Sequence, residues 1–226
     1  MTEPSTNLTG LYSEAVAYAA ALHAAQLRKE TQIPYMSHLL GVSSLVIEAG
    51  VTQEQAIAGL LHDAVEDAGG MPRYHDIKAR FGDDVARIVL GCSDSTDEKL
   101  KASIPYWDRK TVYLKRLAAE PDDVVLVSMA DKVHNARAIV TDLEKNGVGV
   151  LEKFKSSTDE MLTYYAACLH IGTAKKVSSA LLIPLSLAVT RMRELVDGAA
   201  PLDAMVTDWN RALSEADLEE IEAALA

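Results

Sequence analysis

Apolar positions recur every three to four residues along most of the chain, and no stretch sustains the alternation of period two that a half-buried strand requires. The pattern predicts helices over about residues 11–27, 37–48, 52–67, 72–81, 83–92 and 106–117, then from Pro121 onward, and over 151–168, 174–196 and 202–224. Local chemistry marks several ends. Thr52 with Gln55 three residues on makes a capping box. Pro121 fits a first helical turn, and Asp122 and Asp123 favour the positive end of a helix dipole. Gly50, Gly69-Gly70 and Gly82 stand where helices should stop. Residues 1–10 read as a flexible lead, and the polar stretch 93–104 as a mobile loop. The fold class is therefore all-α, a single-domain helical bundle. Residues 11–170 form its core, and 171–226 a helical extension packed on that core or at an interface.

With 226 residues and 49% hydrophobic content, the chain can bury one substantial core. No run of about 18 apolar residues occurs, and the N-terminus lacks the basic-then-apolar order of an export signal, so a cytoplasmic location without membrane contact is expected. A net charge of −11 argues against non-specific binding to nucleic acid or anionic lipid. A small anion meets only the local field of a cleft, and basic residues cluster at Arg28-Lys29, Arg109-Lys110, Lys115-Arg116 and Lys132. Cys92 and Cys168 have no Cys-x-x-Cys spacing and read as reduced, buried thiols.

Candidate chemistry concentrates in Ala58–Asp67. His62 and Glu66 are four residues apart, as are Asp63 and Asp67, so on a helix each pair shares a face and the two faces lie about 100° apart. An imidazole beside a carboxylate suits a divalent first-row cation, and the following acids are placed to deprotonate a water. An ordinary amphipathic helix with its acids in solvent would show the same dipeptide, so His-Asp alone decides nothing. Asp131 interrupts the apolar run that begins at Val124, and a buried Asp there has to be paired or act as a ligand.

His38, His62-Asp63 and Asp131 form the ordered set H…HD…D on separate expected helices. Together with Arg28-Lys29, Pro34-Tyr-Met-Ser-His38, Leu60-Leu-His-Asp-Ala-Val-Glu-Asp67, Phe81-Gly-Asp-Asp-Val-Ala86 and Met129-Ala-Asp-Lys-Val-His-Asn-Ala-Arg137, it resembles the HD-domain metal-dependent phosphohydrolases. The likeness is closest to the hydrolase domain of the Rel/Spo alarmone enzymes and to the small stand-alone alarmone hydrolases. The resemblance implies one divalent metal, Mn2+, on His38, His62, Asp63 and Asp131. It implies water activation by Glu66 and Asp67, contacts from Arg28 and Lys29 to base and phosphates, and a ribose contact from Asn135. Lys132 adds a cation beside the ligand Asp131. Arg109 and Lys110 read either as a solvated face or as phosphate-binding cations, and Tyr165 either as core or as cleft lining. His23 and His134 match family histidines and read as core or ligand-orienting groups; His75 and His170 read as surface. The chain departs from the family at Leu39, where Pro is common, and at Ala68, where Thr is common.

The leading expectation is removal of the 3′-pyrophosphate from guanosine or adenosine tetra- and pentaphosphates, with Arg28-Lys29 neutralising the diphosphate. A broader nucleotide phosphomonoesterase and a silent nucleotide-binding module are the alternatives. The partner is a small nucleotide rather than nucleic acid, and a homo-oligomer stays open.

Overall fold

The chain is organised on one long helix, α8 (Asp122–Asn146), against which most of the other helices pack. The structure, a computed structural model, describes residues 7–95, 104–154 and 156–196. In order these form α1 (Gly10–Leu22), α2 (Met36–Glu48), α3 (Gln53–Leu61), α4 (Ala64–Asp67), α5 (Gly70–Phe81), α6 (Asp83–Cys92), α7 (Tyr106–Ala119), α8, a 3-10 turn (Val148–Lys153), α9 (Thr158–Ala174) and α10 (Ser179–Leu195). The described residues contain no strand, only one isolated bridge between Leu27 and Pro34. The all-α expectation holds. The helix expected over 202–224 and residues 96–103 of the polar stretch lie outside the described residues.

Burial explains the layering. The residues of α3 from Ala56 to Leu61 are all fully buried or nearly so, and a helix apolar on every side has to sit at the centre. It is enclosed by α1, α2, α6 and α8. On the other side of α8 lie α9 and α10, so the start of the expected C-terminal extension packs directly on the core. None of the described helices is long and apolar enough to cross a membrane.

Four helix expectations need correction, one of them the helix expected over 174–196, which begins only at Ser179 after a turn at Lys175-Lys176 and the Ser178 cap. The first helix ends at Leu22 rather than near Leu27, because the backbone of Gln26–Arg28 pairs sideways instead of coiling on. Arg28 N–H donates to Ile33 O (2.8 Å) and Tyr35 N–H to Gln26 O (2.8 Å), which folds Arg28-Lys29 into a tight excursion. The helix expected over 52–67 breaks after Leu61. His62 Nδ1 meets Gly59 O at 2.9 Å, taking the carbonyl that a continuing helix would offer to Asp63 N–H. The helix expected over 151–168 begins only at Thr158, where Ser157 and Glu160 form a capping box. Residues 93–95, expected to be mobile, are instead buried at 2–3% exposure.

Candidate metal centre and active-site cleft

The break after α3 creates the centre. Neighbours on a continuous helix diverge by about 100°, yet here Asp63 Oδ2 lies 2.9 Å from His62 Nε2. His38, near the start of α2, brings its Nε2 to 3.2 Å from Asp131 Oδ1 and 3.6 Å from Asp63 Oδ2. Asp131 Oδ1 is also 3.6 Å from His62 Nε2. Donor atoms about 2.1 Å from a common cation lie about 3.0–3.4 Å apart, and the separations here, 2.9–3.6 Å, bracket that range. The ligand atoms of His38, His62 and Asp131 all fall within 4.8 Å of one another.

The hydrogen-bond pattern fits a cation as well. His62 gives its Nδ1–H to Gly59 O, which leaves a lone pair on Nε2; that buried atom has no hydrogen-bond partner among the described residues despite the adjacent carboxylates. On His38 the Nδ1 side is taken by His134 Nδ1 at 2.9 Å, again turning Nε2 inward. Tyr35 donates its hydroxyl to Asp63 Oδ2 at 2.6 Å, and Asn135 Nδ2 donates to Asp131 Oδ1 at 2.5 Å. Burial opposes charge on all these groups, but the local field overrides it. Asp63 is held well below the usual carboxylate range by His62 and His38, and Asp131 by Lys132 and both histidines. His62 is raised well above its usual value by Asp63 and Asp131. A divalent cation would take the place of the proton that this field draws to His62, and would meet two imidazole lone pairs and two carboxylates whose charge of −2 it neutralises.

This cluster borders a cleft of about 380 Å3. Asp63 and Asp131 lie in its wall, together with Arg28, Lys29, Glu66, Lys110, Lys132, Asn135 and Tyr165. Arg28 Nη2 donates to Asn135 Oδ1 at 3.0 Å, so the two expected nucleoside contacts meet. Glu66 accepts from Asp94 N–H at 3.1 Å. Two residues of the expected set lie off the lining. Asp67 is exposed and accepts from Gln26 Nε2 at 3.0 Å. Arg109 is buried behind the wall, paired with Asp94 and stacked 5.5 Å from the centre of the Tyr106 ring.

The HD domain family matches residues 15–156. The chain belongs to the HD-domain family. It is 32% identical over 155 residues to the guanosine-3′,5′-bis(diphosphate) 3′-pyrophosphohydrolase of Aquifex aeolicus, a match covering 68% of this chain and 20% of that protein. It is 34% identical over 132 residues to the corresponding enzyme of Danio rerio, covering 57% of this chain and 69% of the relative. Among solved structures, a metazoan ortholog of SpoT described as hydrolysing ppGpp superposes with a TM-score of 0.63 at 27% identity, over 84% of this chain and 99% of that one. The chain thus spans only about a fifth of the Aquifex relative's length. HD-domain membership implies a divalent metal, consistent with the clustered His38, His62 and Asp131.

Several cleft residues of this HD domain carry little signal in the sequence. Asp94 sits in a run of small polar residues with nothing to mark it as buried, yet it is 2% exposed and holds both Arg109 and Lys110. Lys153 and Phe154 line the far end because of the 3-10 turn, whereas the periodicity places them inside a helix. Tyr164, read as core, is both 5% exposed and part of the lining. The Ser157-Thr-Asp-Glu160 cap was a readable sign that the helix starts later.

Proposed function

We propose that this chain is a Mn2+-dependent 3′-pyrophosphohydrolase of nucleoside 3′,5′-bis-diphosphates of the guanosine or adenosine type. The observation that carries the reading is the convergence of His38, His62, Asp63 and Asp131 beside a cleft lined by lysines and an arginine.

In this reaction the oxygen of a water bonds to the phosphorus attached to the ribose 3′ oxygen. The bond from that phosphorus to the 3′ oxygen breaks, the 3′ oxygen takes up a proton, and diphosphate and a nucleoside 5′-diphosphate separate. A divalent cation, when bound, supplies Lewis acidity and a more acidic water. Glu66, in the cleft wall, is the carboxylate that takes the proton of the attacking water. Asn135 and Arg28, joined at 3.0 Å, hold the nucleoside one helical turn from Asp131. Tyr35 keeps Asp63 oriented through its 2.6 Å hydrogen bond.

The test is product analysis with guanosine and adenosine 3′,5′-bis-diphosphates, nucleoside monophosphates and dinucleotides in the presence of Mn2+. Diphosphate as the first product, with the 5′-diphosphate retained, is expected. Orthophosphate as the sole first product, with monophosphates consumed faster, would move the protein to a phosphomonoesterase.

A further inference from the structure

Charged side chains stand at both ends of the cleft, and α8 supplies the scale. Lys132 and Asp142 both line it and are ten residues apart, about 15 Å at helical rise. Between them Asn135 holds Arg28, and Ala138 and Ile139 form part of the wall. At the Asp142 end, Lys153 Nζ pairs with Asp142 at 2.6 Å and the Lys29 ammonium reaches Lys153 O. Both ammonium groups lie near the Phe154 ring, at 5.5 and 5.4 Å from its centre.

The Lys132 end is built differently. Lys132 Nζ donates to Asp131 Oδ2 at 2.6 Å, on the opposite side of that carboxylate from the two histidines. Lys110 Nζ donates to Asp94 Oδ2 at 2.6 Å. Among the described residues each ammonium makes only that one hydrogen bond, although it has three donors. Two aromatic rings lie close to both of them. Lys132 lies 5.2 and 5.7 Å from the rings of Tyr113 and Tyr164, and Lys110 5.6 and 5.3 Å from the same two rings. Lys132 is only 8% exposed, so water cannot fully satisfy its spare donors, and leaving them bare is costly.

On the reading of this chain as a bis-diphosphate hydrolase, we infer that Lys110 and Lys132, with the Tyr113 and Tyr164 rings, form the subsite of the departing diphosphate. The nucleoside 5′-diphosphate then lies toward Arg28, Lys29 and Lys153. This reverses the clamp expected at Arg28-Lys29. Two ammonium groups with free donors around one anion match the two phosphoryl groups of a diphosphate better than a single orthophosphate. The local charge sets a condition. Arg109, Lys110 and Lys132 face Asp94, Asp131 and Glu66, an even balance, with Asp63 adding one more negative charge. Diphosphate binding at this end therefore requires the divalent cation.

The probe is inorganic pyrophosphate, titrated calorimetrically into the full chain with and without Mn2+, with orthophosphate in parallel. Lys110→Met and Lys132→Met should each weaken pyrophosphate binding at least tenfold, and Arg28→Ala should leave it within twofold. Binding should vanish without the cation. Lys132 touches a metal ligand, so metal content is measured in each variant. Lys110 touches none, and Lys110→Met with full metal content decides the matter. Pyrophosphate binding unchanged in Lys110→Met but lost in Arg28→Ala or Lys29→Ala would overturn the assignment. If pyrophosphate binds at Lys110 and Lys132 while no bis-diphosphate is hydrolysed, the activity reading fails and the subsite stands.

Discussion

The imidazole of His134 meets that of His38 nitrogen to nitrogen, Nδ1 to Nδ1 at 2.9 Å, in space left by the missing side chain of Gly41. A Cβ at position 41 would collide with the His134 ring. For His38 Nε2 to offer a lone pair to a cation, His38 has to carry its proton on Nδ1, so His134 Nδ1 is the acceptor. Burial, then the proximity of His38 and Arg28, lowers His134 to about 4, which keeps it in the neutral form able to accept. Loss of such an orienting partner typically weakens metal binding about 10–100-fold. His134→Ala and Gly41→Ala should both do so, with His134→Gln partly restoring affinity. Mn2+ affinity measured by titration checks this; unchanged affinity in His134→Ala would remove the orienting role.

Metal and activity should disappear together. Chelation should abolish turnover, and Mn2+ should restore it. Asp63→Ala or Asp131→Ala should empty the site, because each removes one of the two carboxylates that, among the described residues, approach the buried imidazoles. Metal analysis of the purified variants checks the ligand set, and full activity of metal-free protein would contradict it.

How much of this centre was legible depends on the kind of signal. His38, His62, Asp63 and Asp131 stand out in the sequence through the ordered set H…HD…D and the family resemblance that it carries, and the structure brings these four side chains together. The break between α3 and α4 was not readable. It depends on a side chain, His62, competing for a carbonyl, Gly59 O, that periodicity assigns to the helix ladder. Asp94 was hidden for a related reason. Its burial comes from Arg109 and Lys110 on α7, a tertiary pairing that local polarity in Ser93-Asp94-Ser95 actively disguises. Helix class follows from the pattern alone, whereas the ends at Leu22 and Thr158 depend on sideways backbone pairing and on the Ser157 cap.

Asp94 supports an acid-stability prediction. Burial works against its charge, but Lys110 and Arg109 hold its carboxyl well below the ordinary carboxylate range. A lowered folded-state value means the stabilisation is fully present above the unfolded value, about 3.9, and is lost as pH falls toward the folded one. Asp94→Asn also leaves two buried cations without their carboxylate, a change that costs about 3–5 kcal/mol in comparable buried pairs. The Tm gap between wild type and Asp94→Asn should be wide and constant from pH 5 to 8 and should narrow below about pH 4. A gap independent of pH across that range would show that the pair contributes no linked stability.

The last prediction separates the two acids that sequence alone treats as equals. Glu66 lies in the cleft wall, close to Asp94 N–H and within the field of Lys110, whereas Asp67 is exposed, off the lining, and accepts from Gln26. The difference follows from the short helix α4, which turns residue 66 toward the ligands and residue 67 toward the α1–α2 connection. A general base has to come within hydrogen-bond reach of the water it deprotonates, and contributes about 10²–10⁴-fold. Glu66→Gln should therefore lower kcat by that amount while metal content and Tm stay close to wild type. Asp67→Asn alters the Gln26 contact and with it the connection carrying Arg28-Lys29, so it should change KM more than kcat. Steady-state kinetics of both amides, with metal content measured on the same samples, checks the division. A large kcat loss in Asp67→Asn with native turnover in Glu66→Gln would assign the proton transfer to Asp67 and require α4 to rotate when substrate binds.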